Sequence, residues 1–259
     1  MIIWLASYPK SGNTWVRTII NELLYTNNNS DDVFNNASKN IRQFPAYSDF
    51  EDSTEFTSLD RSKSIKEKLI NKTVKNWIFL QNKINLDKKL KLFKTHNLLG
   101  KFNIENENYS FTNLENTIGV IHIVRDPRSI ITSLKNHFSL DSEEEAMEMM
   151  FDEETWSGLK YKDSVPNHFS SWSNHYNSWK RFPNNNILIR YEDILENPKK
   201  EILKIADYLK KFFQLNLNEK RVVSIVKKTS FENFKKNEQN GRLYENVMNK
   251  NRDRKIEFF

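Results

Sequence analysis

One short segment constrains the fold of this 259-residue chain more than any other, namely residues 8–15, YPKSGNTW. It follows the apolar run 2–6 and precedes the run 16–25, in which apolar residues recur at helical spacing. This pattern predicts a buried strand, a tight loop and a helix over residues 14–25. The first N–H groups of a helix lack intrahelical partners and lie at the positive end of its dipole. The loop is therefore a candidate anion cradle.

The side chains of this loop suit an anion. Lys10 brings a mobile charge, Ser11 and Thr14 bring hydroxyls, and Asn13 brings an amide. Gly12 allows close backbone approach. An alternative is plain turn chemistry, with Asn13 or Thr14 as the helix N-cap. The loop is not a Walker A motif, because its single glycine follows the lysine, so a phosphate ligand is favoured over triphosphate hydrolysis.

A second strand-to-helix turn carries another candidate anion site. Residues 117–124, TIGVIHIV, form an apolar, β-branched run typical of a central strand. Asp126 is suited to cap a helix over residues 127–138, at whose start a proline stands. Arg125 and Ser133 can converge on one anion, the guanidinium binding two oxygens and the hydroxyl a third. The alternative is an Arg–Asp pair beside an ordinary helix cap.

His96 directly follows a predicted strand, residues 89–95. Open α/β sheets bind ligands at the carboxyl ends of their strands, which makes this position a candidate site. The alternative is a structural or exposed histidine. The other histidines of the chain are His122, His137, His168 and His175.

The rest of the chain gives a coarser prediction. Residues 186–190 read as a strand, and helices are predicted over 141–154, 166–182, 198–212, 217–228 and 229–238. The aromatic stripe of 166–182 is predicted to be core, and Thr229 or Ser230 to cap the last helix. Residues 27–63 show neither period and are predicted to be a loop region.

Residues 8–15 resemble the 5′-phosphosulfate loop of the sulfotransferases that use 3′-phosphoadenosine 5′-phosphosulfate (PAPS). The usual family form is YPKSGTTW, from which the chain departs only at Asn13. Four later segments are similar to family segments in the same order: KTH at 94–96, RDPRSIITS at 125–133, YEDILENPKKEILKI at 191–205 and TSFENFKKNE at 229–238. The resemblance implies an α/β fold with a central, mostly parallel sheet flanked by helices and a P-loop-like strand, loop and helix, as one sulfotransferase domain over residues 1–259.

The resemblance also implies roles for residues. His96 would be the general base, Lys10 the cation on the bridging oxygen, and Ser133 a further catalytic group that shares the 3′-phosphate with Arg125. The 5′-phosphate would lie on Ser11, Gly12, Asn13 and Thr14. The adenosine would contact the remaining positions: Trp15, stacked on adenine, with Tyr191, Thr229, Ser230 and Phe231.

Composition narrows the class of protein. The net charge is +6, but the lysines are spread along the chain without a basic block, so nucleic-acid binding is disfavoured. No apolar run approaches the roughly 20 residues that cross a bilayer. The chain has no cysteine and no H-x-x-x-H spacing, so no metal is expected. Absent cysteines and a first strand directly after Met1 favour the cytoplasm. The family's basic loop RKGxxGxW is expected to be absent or truncated, since the sequence stops at Phe259.

Two other functions stay open at this point. One is a P-loop-type kinase for a small metabolite, and the other is a non-catalytic binding protein for adenosine 3′,5′-bisphosphate (PAP). The acceptor is expected to be a small molecule in a pocket built from residues 27–63 and 139–165. Its class is not predicted, and neither is the oligomeric state.

Overall fold

The computed structural model describes residues 1–25, 33–58, 60, 62–160 and 162–239. The predictions that concern residues 27–32, 59, 61 and 161, and the chain end after residue 239, lie outside the described residues. Within the described part the strands are β1 (Ile2–Ser7), β2 (Lys91–Thr95), β3 (Lys101–Ile104), β4 (Glu107–Ser110), β5 (Thr117–Val124), β6 (Trp156–Ser157), β7 (Asn167–His168) and β8 (Asn186–Arg190).

The four predicted strands form one sheet in the order β2, β1, β5, β8. Strands β1 and β2 are parallel, with Ile2 opposite Lys91 and Ala6 opposite Thr95. β1 is buried at every position, as its apolar sequence predicts. The predicted α/β class, with a central, mostly parallel sheet flanked by helices, is confirmed.

The helices that the structure describes are α1 (Asn13–Leu24), α2 (Val33–Asn40), α3 (Thr54–Thr57), α4 (Lys63–Asn85), α5 (Pro127–Phe138), α6 (Glu143–Phe151), α7 (Trp172–Lys180), α8 (Tyr191–Glu196), α9 (Pro198–Leu209), α10 (Glu219–Lys228) and α11 (Phe231–Gln239). A 3₁₀ turn spans Tyr47–Asp49. The helix predicted over 127–138 is confirmed with its bounds, and Asp126 caps it by accepting from the Arg128 N–H.

The prediction of a loop region over 27–63 is wrong for much of its described part. Helices α2 and α3 and the 3₁₀ turn lie there, and α4 begins at its end. Phe44, Phe50 and Phe56 are buried although no period connects them. Phe56 lies on α3, whereas Phe44 and Phe50 lie in the chain on either side of the 3₁₀ turn, so the burial of single rings rather than amphipathic periodicity anchors this segment to the core.

The helix predicted over 166–182 is shorter than expected. It begins at Trp172, because Asn167 and His168 pair as β7 with β6. The stripe is also core only in part: Phe169, Trp179 and Phe182 are buried, whereas Trp172 and Tyr176 are half-buried and stack on each other with ring centroids 5.5 Å apart.

Two compact units can be distinguished along the chain. The first comprises Met1–Tyr8, Gln43–His122 and Met149–Asn186. Its core is aromatic, with the ring centroid of Trp4 5.4 Å from that of Phe44 and 5.1 Å from that of Phe111. The Trp4 indole N–H donates to the Thr117 hydroxyl at 2.8 Å, which satisfies the one polar atom of a fully buried side chain.

The second unit comprises Pro9–Arg42, Ile123–Glu148 and Ile187–Phe259. Its core is mainly aliphatic, with Ile19 and Ile20 of α1, Ile130 of α5 and Ile205 of α9 all fully buried. Every residue predicted to bind the nucleotide falls in this unit. No helix of the described residues is long and apolar enough to cross a membrane.

Candidate functional site

The loop after β1 has a backbone that suits anion binding. Gly12 is the N-cap of α1 with φ 94° and ψ 20°, and Lys10 is also left-handed with φ 65°. The alternative N-caps Asn13 and Thr14 are therefore wrong, since both lie inside the helix. A glycine cap has no side-chain acceptor for the first helical N–H groups, which leaves them to a ligand or water.

Ser11 has a buried hydroxyl that can donate to a ligand. The side chain is 1% exposed, and its Oγ has no hydrogen-bond partner among the described residues. Leaving such a group unsatisfied costs about 1–3 kcal/mol. A phosphate oxygen on the loop would remove that cost, so the residues present fit the phosphate that the resemblance implies.

Arg125, at the end of β5, is held by two contacts within the second unit. Its Nη1 donates to the Lys10 carbonyl at 3.1 Å, and its guanidinium carbon lies 4.1 Å from the centroid of the Tyr191 ring. Its Nε is buried and has no partner in the part of the chain that the structure describes. The structure thus brings the predicted 3′-phosphate arginine against the predicted 5′-phosphate loop.

The turn between β5 and α5 is fixed by two carboxylates. Asp126 accepts from the Arg128 backbone and side chain, and these bonds lower the pKa of Asp126 to about 2. Glu192 accepts from the Asp126 N–H at 2.8 Å, which ties the turn to the start of α8. Ser133 lies half-buried on α5, seven residues and about two turns beyond the cap.

The predicted adenosine residues form an aromatic cluster around Trp15. The Trp15 ring lies 5.4 Å from Tyr191 and 6.2 Å from Phe231 between centroids, and only 3% of the residue is exposed. Thr229 is buried and donates its hydroxyl to the Ile225 carbonyl at 2.8 Å. Ser230 accepts from the Asn233 N–H at 3.3 Å and so acts as one of the two predicted caps. Nucleotide contacts of these residues stay predictions.

His96, in the first unit, has a defined proton position. Its Nδ1 lies 2.7 Å from the Ser7 carbonyl oxygen and 3.2 Å from the Ser7 hydroxyl. A carbonyl can only accept, so Nδ1 carries the proton and Nε2 of the neutral ring carries the lone pair. A lone pair on Nε2 is what a general base requires.

The backbone around His96 is anchored by buried polar groups. The ring of His175 forms a hydrogen bond with the His96 backbone. The Asn97 side chain donates to the Asn167 side chain at 3.0 Å and accepts from the His168 backbone N–H at 2.9 Å. The backbone carbonyl of Asn97 accepts from the Trp179 indole N–H at 2.8 Å. These bonds fix the strand end from which His96 projects.

The other histidines of the first unit have a different environment. His122, His168 and His175 are buried, whereas His96 is half-buried. Burial lowers the pKa of His122 to about 4, and it lowers the pKa of His175 and His168 as well. These three rings are therefore neutral packing groups at pH 7.

Sequence reasoning missed Ser7, Glu192, Asn97 and His175. Each makes a hydrogen bond between segments that are far apart in the chain, such as the 89 positions between Ser7 and His96. No local pattern marks such contacts. Within the described ranges there is no group of three or more metal-ligating side chains.

Comparison with known proteins gives relatives over part of the chain. Sulfotransferase 1B1 of Canis lupus familiaris is 32% identical over 126 residues, which is 48% of this chain and 39% of that protein. Sulfotransferase 1A1 of Rattus norvegicus is 30% identical over 127 residues, 48% of this chain and 40% of that protein. The matched part thus spans about two fifths of the length of these curated relatives.

Solved structures show the same fold over most of the chain. A retinol dehydratase in complex with androsterone and the inactive cofactor PAP has a TM-score of 0.55 at 16% identity, covering 94% of this chain and 69% of that one. Mouse sulfotransferase SULT7A1 complexed with PAP has a TM-score of 0.52 at 19% identity, covering 90% and 65%. The family model for the sulfotransferase domain matches residues 2–257, so the chain belongs to the sulfotransferase domain family.

Proposed function

We propose that this protein transfers a sulfuryl group from PAPS to the hydroxyl or amine of a small-molecule acceptor. One observation carries the proposal: the two turns predicted to bind anions meet within the second unit, where Arg125 Nη1 donates to the Lys10 carbonyl at 3.1 Å. A ligand with phosphates at both ends of an adenosine would use both turns. A mononucleotide with phosphate at only one end would leave one turn without a ligand.

The proposed cradle for the 5′-phosphate is the loop of Ser11, Gly12, Asn13 and Thr14. The buried Ser11 hydroxyl and the N-terminal N–H groups of α1 would donate to its oxygens. Arg125 and Ser133 would bind the 3′-phosphate, and the cluster of Trp15, Tyr191, Thr229, Ser230 and Phe231 would enclose the adenosine.

In the proposed reaction the acceptor oxygen attacks sulfur as the bond from sulfur to the 5′-phosphate oxygen breaks. His96 Nε2 takes the acceptor proton, Lys10 stabilises the negative charge on the departing 5′-phosphate oxygen, Ser133 with Arg125 holds the 3′-phosphate, and PAP leaves. Positioning and charge stabilisation do most of the catalysis in the related phosphoryl transfers. The Ser7 carbonyl supports the role of His96, because it holds the ring in the tautomer that accepts a proton at Nε2.

The experiment is an acceptor screen with labelled PAPS and no added metal, read as the mass gain of one sulfate on the acceptor. Androsterone and retinol, named with a structural neighbour, are sensible first members beside phenols, amines and sugars. A parallel assay with ATP and Mg²⁺ tests phosphate transfer. Sulfated product would support the proposal, whereas phosphorylated product would favour a kinase.

Calorimetric titration with PAP tests nucleotide binding separately. Binding of PAP without product from any acceptor class would favour a non-catalytic binding protein, and absent binding would contradict both functions. We further propose that residues 1–259 act as one sulfotransferase domain. The absence of cysteine supports a reducing compartment such as the cytoplasm.

A further inference from the structure

The ring of Tyr191 contacts both turns of the proposed nucleotide site. A Cβ built on Gly12 would lie 2.6 Å from Tyr191 Cδ2, so the ring is packed directly against the glycine backbone. The Arg125 guanidinium carbon lies 4.1 Å from the centroid of the same ring. One side chain therefore contacts both the lysine-containing loop and the arginine of the second turn.

The contact with Arg125 has a specific physical basis. The face of an aromatic ring is negative and attracts a guanidinium, the more strongly the less water surrounds the pair. Tyr191 is only 8% exposed, and the Trp15 ring meets it edge-on at 79°, so most of the ring is removed from water. The guanidinium is thus held by a ring face and, through Nη1, by the Lys10 carbonyl.

These two contacts restrict the guanidinium before any ligand binds. A free arginine side chain carries about 2 kcal/mol of rotamer entropy, part of which is lost when it binds an anion. Tyr191 and the Lys10 carbonyl remove part of that freedom in advance. The buried Nε, which has no partner among the described residues, then keeps a fixed direction for an acceptor.

We propose that Tyr191 is a positioning residue, whose ring face sets the Arg125 guanidinium for the 3′-phosphate. The inference rests on the proposed function, because it concerns the same nucleotide, and it differs from the adenine contact that the resemblance implies. An adenine contact would contribute equally to nucleotides with and without a 3′-phosphate. A positioning role would contribute only where the 3′-phosphate is present.

The test compares dissociation constants of PAP and of adenosine 5′-phosphate, measured by calorimetry on the full chain. The dissociation constant of adenosine 5′-phosphate divided by that of PAP reports the contribution of the 3′-phosphate alone. Tyr191→Phe keeps the ring face, so we expect this ratio to stay within about twofold of the unmodified protein. Pentafluorophenylalanine incorporated at position 191 keeps the shape but reverses the charge of the ring face. We expect the ratio to fall by about 2- to 30-fold, the equivalent of a partly desolvated cation–π contact.

A matched control is available at Tyr208, where the Lys211 ammonium lies 5.7 Å from the ring centroid. The same fluorinated residue at position 208 should leave the ratio unchanged. In an Arg125→Ala background, fluorination at position 191 should also have no effect on the ratio. If the fluorinated chain does not fold, Tyr191→Phe is compared with Tyr191→Leu instead, since phenylalanine keeps the ring face and leucine removes it. We then expect the ratio to fall only in Tyr191→Leu.

The outcomes separate the inference from the proposed function. If fluorination weakens both nucleotides equally, Tyr191 acts through adenine or the fold, and the positioning role is overturned while PAP binding stands. If fluorination changes neither constant, the positioning role is likewise overturned. If the unmodified protein binds PAP no better than adenosine 5′-phosphate, the two-phosphate site itself is wrong and both proposals fall.

Discussion

Replacing Gly12 by alanine tests the geometry of the phosphate loop most directly. Gly12 has φ 94°, a left-handed conformation that costs an alanine about 1–2 kcal/mol. The new methyl group would also lie 2.6 Å from Tyr191 Cδ2, closer than real Cβ contacts. Tyr191 is already held by Trp15 and Arg125, so the ring has little room to give, and overpacking of this kind costs about 1–3 kcal/mol.

The two costs together predict that Gly12→Ala lowers the free energy of unfolding by about 2–5 kcal/mol. Urea denaturation followed by tryptophan fluorescence measures it. Gly100→Ala is the matched control, because Gly100 has no positive φ and its built Cβ lies 3.0 Å from the flexible Leu98 Cδ2. That variant should lose less than about 1 kcal/mol.

A double-mutant cycle with Tyr191→Ala separates the two costs. In that background the ring is gone, so Gly12→Ala should cost only the backbone share of about 1–2 kcal/mol. An equal cost in both backgrounds would show that the ring contact is not its source. A Gly12→Ala variant as stable as the unmodified protein would refute the left-handed loop.

Four further predictions concern His96, Ser11 and His122. His96→Ala should reduce turnover by about 10²- to 10⁴-fold with PAP affinity near normal, while the control His137→Ala keeps its turnover; equal loss in both would remove His96 as the base. Nitrogen-15 NMR of the neutral ring should show a protonated Nδ1 and an unprotonated Nε2 in His96, and the reverse pattern would contradict the bond to the Ser7 carbonyl. Ser11→Ala should weaken PAP binding by about 10- to 100-fold without lowering the stability of the ligand-free protein, because the hydroxyl has no partner there among the described residues; unchanged affinity would place the phosphate elsewhere. The pKa of His122 is lowered in the folded state, so the unfolded state binds more protons and stability should fall by about 3 kcal/mol as pH drops from 6.5 towards 4, a loss that His122→Leu should reduce in urea titrations at several pH values.

The strands and the two turns could be predicted from sequence because their signals are local. Residues 117–124 and 127–138 have the predicted bounds, since a continuous apolar run and a capped, proline-started helix each mark their own ends. The short hairpin strands β3, β4, β6 and β7 carry no such signal. They are only two to four residues long, too short for a period to show, and they pair within their own hairpins, as with Ile104 opposite Glu107 and Ser157 opposite Asn167.

The identity of the candidate site residues could also be predicted, but not their mutual contacts. The sequence places Arg125 at a strand end and Tyr191 at another, yet nothing in it shows that the guanidinium lies on the ring. It likewise places Asp126 as a cap without indicating that Glu192 accepts from its N–H. Contacts of this kind depend on side-chain packing between segments that are far apart in the chain.

The bond between His96 and position 7 has a consequence for how the protein tolerates change. The shorter of its two contacts is made by the main chain of Ser7, which every residue type possesses. Side-chain replacement at this position therefore leaves the acceptor for Nδ1 in place, while the longer hydroxyl contact to the ring is lost. Saturation mutagenesis should therefore find that variants with small residues at position 7, which fit the volume of a fully buried position, keep the proton of His96 on Nδ1.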